Sequence, residues 1–315
     1  MKSSDTVNLF FACDDGYIPF LAVTLISIKK NRDRSRDYNI RVLNTGISDR
    51  HKERIYSSVA EYGFNIEFVD ITEKVEEISE RLHTRDYYSK STYYRLFIPE
   101  LYPTLDKALY LDCDIVVLGD ISELYDTDLG DNLVGGVSDG FVLHTKRLHG
   151  YVTNRIGVEK PEDYFNAGVL LMNLKEMRRI DFGKKFVDLI SQVTFKVAQD
   201  QDYLNTLCKS RALSIDKKWN CMPDFNDSDG GDMLIHYNLD RKPWQRDGIE
   251  FSDIFWRYCA LTSYLSEIEE RKANFSAARK ASEVTVSLID IAEAEGLDEI
   301  GNERIREALV KIGMV

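Results

Sequence analysis

The sequence predicts a doubly wound α/β protein with a mostly parallel sheet and a C-terminal helical extension. Three observations carry this. Short apolar runs alternate with amphipathic stretches, the pattern of parallel strands covered on both faces. The strongest run, "KALYLDCDIVVLGD" (107–120), is apolar at 108–111 and 115–118, as a covered parallel strand requires. From about residue 252 strand signals stop, and mixed-charge sequence rich in Glu and Ala takes over.

The elements follow in order. "VNLFFAC" (7–13) is the first strand. "PFLAVTLISIKKN" (19–31) has helical spacing and a basic end that suits a helix C-terminus. "YNIRVLNTG" (38–46) is the second strand. "SDRHKERIYSSVAEYG" (48–63) starts at a Ser N-cap and stops at Gly63. "NIEFVDI" (65–71) is the third strand, and "TYYRLFIPELY" (92–102) reads as a helix ending before Pro103. Further strands are expected at 107–118, 133–138, 168–173, 213–215 and 232–237, with helices at 182–194 and 200–209. The domain reading is an α/β domain over 1–250 and a helical region over 251–315.

Composition bounds the function. At 315 residues, 43% hydrophobic and 11% aromatic, the chain has ample core material. A net charge of -12 argues against nucleic acid as partner, because its backbone needs Lys and Arg. The five cysteines (13, 113, 208, 221 and 259) are odd in number and form no CxxC, which points to a reducing compartment without a disulfide framework. "MKSSDTVNLFFACDDGY" does not read as a signal peptide, and no run reaches membrane-span length. The expected location is cytoplasmic, or peripheral at the inner membrane face. The phosphate-cradling patterns GxGxxG and GxxxxGK[ST] are absent.

Asp112 and Asp114 break the best strand. Residues i and i+2 of a strand point to one side, so both carboxylates face one space. Like charges so close need neutralising, and a divalent cation does this well. The bland alternative is a solvated turn at a strand end. The trailing "IVVL" implies that the chain turns at the pair and starts a second short strand.

Six segments in order make the chain resemble the family 8 glycosyltransferases, over about residues 6–245. They are "FFACDDGY" (10–17), "STYYRLFIPELY" (91–102), "KALYLDCDIVV" (107–117), "YFNAGVLLMNL" (164–174), "QDQDYLN" (199–205) and "HYNLDRKPW" (236–244). The family is a group of retaining galactosyl- and glucosyltransferases that includes glycogenin. The resemblance implies a GT-A-like nucleotide-sugar fold with a DxD motif. It also implies retaining transfer of galactose or glucose from a UDP-sugar to a hydroxyl of a glycan, glycolipid or glycoprotein, as in polysaccharide biosynthesis.

The same resemblance implies site residues. Asp112, Asp114 and His236 would hold manganese, with magnesium as the alternative. Imidazole beside carboxylates suits manganese better, since magnesium prefers oxygen and its own waters. Ala12, Asp14 and Tyr17 would contact uridine, Arg95 the sugar and phosphate, and Lys242 the diphosphate. Asp139, Asn166, Ala167 and Gly168 would lie along the sugar. Asp200 would bond the sugar, Gln201 would sit on its face opposite the diphosphate, and Asp202 offers a carboxylate for double displacement. Two positions depart from the family pattern: Leu239 stands where a Gly is usual, and Gly16 where Asn is frequent. Two rival readings are a nucleotide-sugar hydrolase, which would share the metal site, and a non-catalytic sugar-nucleotide-binding protein, against which the metal triad and the full QDQD segment argue. The C-terminal tail is more acidic than basic, so it is expected to pack on the catalytic domain or mediate self-association rather than bind an anionic membrane.

Overall fold

In the computed structural model, which describes residues 6–61, 63–76, 90–225, 230–275 and 281–314, strands and helices alternate from the start. The first elements are β1 (Thr6–Ala12), α1 (Ile18–Asn31), β2 (Asp37–Asn44), α2 (Asp49–Val59), β3 (Phe64–Asp70) and the short α3 (Thr72–Glu76). A 3-10 stretch, Lys90–Phe97, leads into one α turn, α4 (Ile98–Leu101). Then come β4 (Lys107–Leu111), β5 (Ile115–Val117), α5 (Ile121–Tyr125), β6 (Val134–Ser138) and α6 (Gly140–His144). These are followed by β7 (Phe165–Asn173), α7 (Leu174–Arg179), α8 (Phe182–Ile190), α9 (Asp200–Cys208), β8 (Ala212–Ser214) and β9 (Leu234–His236). The chain closes with α10 (Ser252–Cys259), α11 (Leu265–Ala273), α12 (Ala281–Gly296) and α13 (Glu299–Lys311).

The residues gather into two compact units. The first holds Met1–Thr72, Ala108–Asp128 and Asp216–Arg279; the second holds Glu73–Lys107, Leu129–Ile215 and Lys280–Val315. In the first unit the strand order is β3-β2-β1-β4, with every pair parallel. A separate antiparallel ribbon pairs β5 with β9. In the second unit the order is β7-β6-β8, with β6 antiparallel to β7 and parallel to β8. This is the expected mostly parallel α/β class with C-terminal helices. Of those helices, α10 and α11 belong to the first unit and α12 and α13 to the second.

In the first unit, α1 is buried along most of its length yet carries a polar stripe at helical spacing, Thr24, Ser27 and Asn31. The stripe serves the short strand β5. Thr24 Oγ1 lies 3.0 Å from the Cys113 carbonyl and 2.7 Å from that of Ile115. Ser27 Oγ accepts from Val117 N at 2.9 Å, and Asn31 Nδ2 donates to Val117 O at 2.9 Å. A three-residue strand thus has its backbone groups satisfied by a helix on one side and by β9 on the other.

Two elements differ from the sequence expectation. The segment 91–102 is mostly 3-10 rather than α. Pro99 has no N–H to bond back to Arg95, so a regular turn begins only at Ile98. Strand β7 begins at Phe165 rather than 168. Asn205 recruits the extra residues by accepting from Phe165 N (2.9 Å) and donating to Phe165 O (2.8 Å).

In the second unit, the end of α12 presses on the 150–151 backbone. A Cβ on Gly296 would come within 2.7 Å of Tyr151 N, so only glycine fits there. Asn154 Nδ2 also donates to Gly296 O at 3.1 Å.

Replacing the fully buried Thr24 by the isosteric valine leaves the Cys113 and Ile115 carbonyls short of a donor. Thr24→Val is expected to lower stability by about 2 kcal/mol in urea unfolding; an unchanged midpoint would show that the stripe does not hold β5.

Candidate active site

Asp112 and Asp114 lie where β4 has ended and β5 has not begun. The β5–β9 ladder pairs Ile115 with His236, and Tyr237 N donates to Asp114 O at 2.9 Å. The imidazole is therefore delivered beside the carboxylates by backbone register. One ligand atom from each of Asp112, Asp114 and His236 falls within 4.8 Å of the others. His236 Nε2 lies 3.2 Å from Asp114 Oδ1 and 3.7 Å from Asp112 Oδ2.

The remaining atom of each group is already held. Tyr110 OH donates to Asp112 Oδ1 at 2.9 Å. The Lys242 ammonium bonds Asp114 Oδ2. His236 Nδ1 lies 2.9 Å from Asn220 Oδ1, and with that oxygen accepting, Nε2 presents its lone pair. Asp114 Oδ1 is buried and accepts no hydrogen bond. An oxygen-rich site with one imidazole nitrogen and an unsatisfied buried carboxylate oxygen fits a divalent cation. Burial alone would raise the Asp114 carboxyl, but the Lys242 ammonium beside it outweighs burial and holds it well below the usual carboxylate range. Lys242 is raised despite its burial, chiefly by the Asp114 charge.

The loop that joins His236 to Lys242 contains Leu239 at φ +49, the left-handed region. Leucine thus keeps a backbone shape that glycine adopts freely, at a cost of about 1–2 kcal/mol. Beyond it, Trp244 stacks on Phe20 of α1 at 4.1 Å, which anchors the Lys-Pro-Trp segment.

Ala12 ends β1, and the Asp14–Tyr17 loop follows it. Asp14 Oδ1 accepts from Tyr17 N at 3.1 Å, so this carboxylate caps the 3-10 turn Asp15–Tyr17. The Tyr17 ring meets Phe20 edge-on at 5.2 Å. Burial, opposed by the Lys242 charge, pushes its hydroxyl up to about 12. The loop is tied from outside: Ser48 N donates to Asp15 Oδ1 at 2.8 Å, and Arg271 of α11 donates to Gly16 O at 2.5 Å.

The second unit gathers a polar network. Asp139 Oδ2 accepts from Asn166 Nδ2 and from Gln201 Nε2, both at 3.0 Å. Gln201 Oε1 accepts from Ala167 N at 2.9 Å and Asn166 Nδ2 at 3.3 Å. Asn166 Oδ1 accepts from Gly168 N at 2.9 Å. Arg95 is buried; its Nε lies 3.1 Å from Asp200 Oδ2, and its Nη1 bonds the Ala167 carbonyl. Gln199, the N-cap of α9, sits at φ +44 and ψ -116. Its carbonyl accepts from Asp202 N and Tyr203 N, which sets the first turn carrying Asp200 and Gln201.

Asp202 is fully buried. Tyr164 OH bonds Oδ1 at 2.7 Å, while Tyr151 OH (2.7 Å) and Ala198 N (2.8 Å) bond Oδ2. Burial pushes its carboxyl up to about 6 against the pull of Tyr164, the Ala198 N–H and Tyr151. The residue offered by the sequence as a nucleophile is engaged on both oxygens.

The structure brings Asp112, Asp114, His236 and Lys242 together in the first unit, and Arg95, Asp139, Asn166, Ala167, Gly168, Asp200 and Gln201 in the second. Sequence reasoning missed Tyr110, Asn220, Tyr151, Tyr164 and Gln199. Tyr110 had a signal, since it lies two residues before Asp112 on a strand. Asn220 had none, standing 16 residues before His236.

Residues 8–248 match the family model "Glycosyl transferase family 8". The chain belongs to that family. It is 25% identical over 287 residues to General stress protein A of Bacillus subtilis, covering 84% of this chain and 96% of that protein. It is 27% identical over 267 residues to the lipopolysaccharide 1,2-glucosyltransferase of Escherichia coli, covering 78% and 75% respectively. Some relatives are longer, and the chain spans 66% of a putative glycosyltransferase of Haemophilus influenzae. Among solved structures it is similar to galactosyltransferase LgtC in complex with donor and acceptor sugar analogs. That match has TM-score 0.73 and 31% identity, over 84% of this chain and 100% of that one. The family and this likeness confirm the GT-A-like fold and a glycosyltransferase activity.

Because the fold raises the Asp202 carboxyl from 3.8 to about 6, it favours the protonated form. The stability this contributes is full below about pH 4 and lost as pH rises to about 6. The stability of the wild type minus that of Asp202→Asn is expected to fall across that window and stay level above it. A difference independent of pH would contradict the assignment.

Proposed function

We propose that this glycosyltransferase is a retaining hexosyltransferase that moves galactose or glucose from a UDP-sugar to a hydroxyl of a glycan acceptor, with manganese. The observation that carries the reading is the convergence of Asp112, Asp114 and His236 with the Lys242 ammonium bonded to the same Asp114. A manganese ion held by these three residues would neutralise charge on the donor diphosphate. Lys242 adds a fixed cation for the departing UDP. The Asp14–Tyr17 loop would take the uracil, with the neutral Tyr17 ring against the base.

In the second unit, Asp139, Asn166 and Gln201 form a network whose acceptors match sugar hydroxyls. Arg95 keeps Asp200 and the Ala167 carbonyl in place and is a positioning residue. A same-face route is favoured over double displacement. Asp202 is fully buried with both oxygens bonded, and Gln201 Oε1 already accepts two hydrogen bonds. On this route the bond from the anomeric carbon to the phosphate oxygen breaks first. The acceptor oxygen then attacks from the leaving-group side, and its proton passes to a phosphate oxygen.

The acceptor reading leans on the relatives, one of which is a lipopolysaccharide glucosyltransferase and another a galactosyltransferase. Among the described residues no helix is long and apolar enough to cross a membrane. A cytoplasmic place, at the inner membrane face when the acceptor is lipid-linked, agrees with this reading.

The test is UDP release from a panel of UDP-sugars with manganese, with and without glycan acceptors, for wild type and Asp114→Ala. UDP-galactose or UDP-glucose should be consumed with hexose transferred, and the variant should lose about 100-fold or more. Release that is unaffected by the substitution would overturn the metal-site reading, and free hexose with no transfer would indicate a hydrolase.

A further inference from the structure

In the cation site, each of the three converging groups has its other polar atom fixed by a different kind of partner. Asp112 Oδ1 takes the Tyr110 hydroxyl, Asp114 Oδ2 takes the Lys242 ammonium, and His236 Nδ1 meets Asn220 Oδ1. Tyr110, Asn220 and His236 are all at most 5% exposed, so these partners are held inside the fold, while the Asp112 side chain is 28% exposed. Asn220 is itself fixed where the 3-10 turn Lys217–Trp219 ends, its N–H donating to Lys217 O.

We propose that Asn220 and Tyr110 are positioning residues that set both the strength and the metal preference of this site. The inference rests on the metal reading above. Asn220 acts through the only nitrogen ligand. By accepting the Nδ1 proton it keeps Nε2 as a lone pair aimed at the carboxylates; without it, the other tautomer would turn an N–H toward them. An imidazole nitrogen is worth more to manganese than to magnesium, so Asn220 should govern the ratio between the two metals. Tyr110 acts through an oxygen ligand, which both metals accept. It should govern affinity without changing the ratio.

The experiment is metal binding by the full chain without nucleotide. Manganese is followed by the electron paramagnetic resonance of the free ion, and magnesium by competition. Asn220→Ala should weaken manganese about 10- to 100-fold and magnesium much less, so that the preference for manganese narrows. Asn220→Asp keeps an acceptor of similar reach and should restore most of the affinity. Tyr110→Phe should weaken both metals in proportion.

Wild-type manganese binding with an unchanged affinity and ratio in Asn220→Ala would overturn this inference alone. A wild type that binds no manganese would overturn the metal reading together with it. If Asn220→Ala fails to fold, Asn220→Asp and Tyr110→Phe decide: an aspartate variant as weak as a chelator-treated control, or a tyrosine variant that shifts the metal ratio, contradicts the proposal.

Discussion

Three backbone pairs between β5 and β9 are the constraint on which the site depends. They put His236 opposite Ile115, the residue that follows Asp114, and so bring together groups more than a hundred positions apart in sequence. Backbone register is stiff, and a one-residue slip would turn the imidazole to the other face. The ribbon is too short to be stable by itself. Its rigidity comes from α1, whose Thr24, Ser27 and Asn31 occupy the backbone groups on its far side. A buried helix with a polar stripe and an acidic turn are therefore parts of one device.

The electrostatics follow from that geometry. Two carboxylates and an imidazole lone pair are an unfavourable gathering without positive charge. Lys242 supplies one charge, fixed by the Trp244–Phe20 stack and by a loop that tolerates Leu239 in a left-handed conformation. The Asp114 oxygen that accepts no hydrogen bond is the atom left for the proposed metal ion. In the second unit the same principle has the opposite outcome. Asp202 is surrounded by donors and burial rather than by cations, and its carboxyl rises instead of falling. Each unit has its own C-terminal support: in the first, α11 bonds the Gly16 carbonyl, and in the second, α12 presses on Tyr151, whose hydroxyl bonds Asp202.

Much of this was legible in the sequence. The alternation of strands and helices gave the fold class, because parallel strands covered on both faces leave long apolar runs. The carboxylate pair stood out because charge within such a run needs a reason. Other features depended on contacts that periodicity cannot carry. The early start of β7 comes from Asn205, a side chain forty positions away in sequence. The 3-10 stretch 90–97 does not run on as one α-helix through 102, because Pro99 has no N–H to bond back to Arg95. Which way Asp202 faces could not be read from its place in "QDQD", because the tyrosines that bond it stand at 151 and 164. The "IVV" run after the carboxylates, expected as a second short strand, is β5, and its pairing with β9 sets the histidine's register.

The central claim is that this register places a histidine nitrogen on the cation together with the two carboxylates. The direct measurement is electron spin echo envelope modulation of manganese bound to the protein. The account predicts modulation from one coordinated imidazole nitrogen, absent in His236→Ala. Manganese with an oxygen-only environment in the wild type, or nitrogen modulation that survives in His236→Ala, would contradict it.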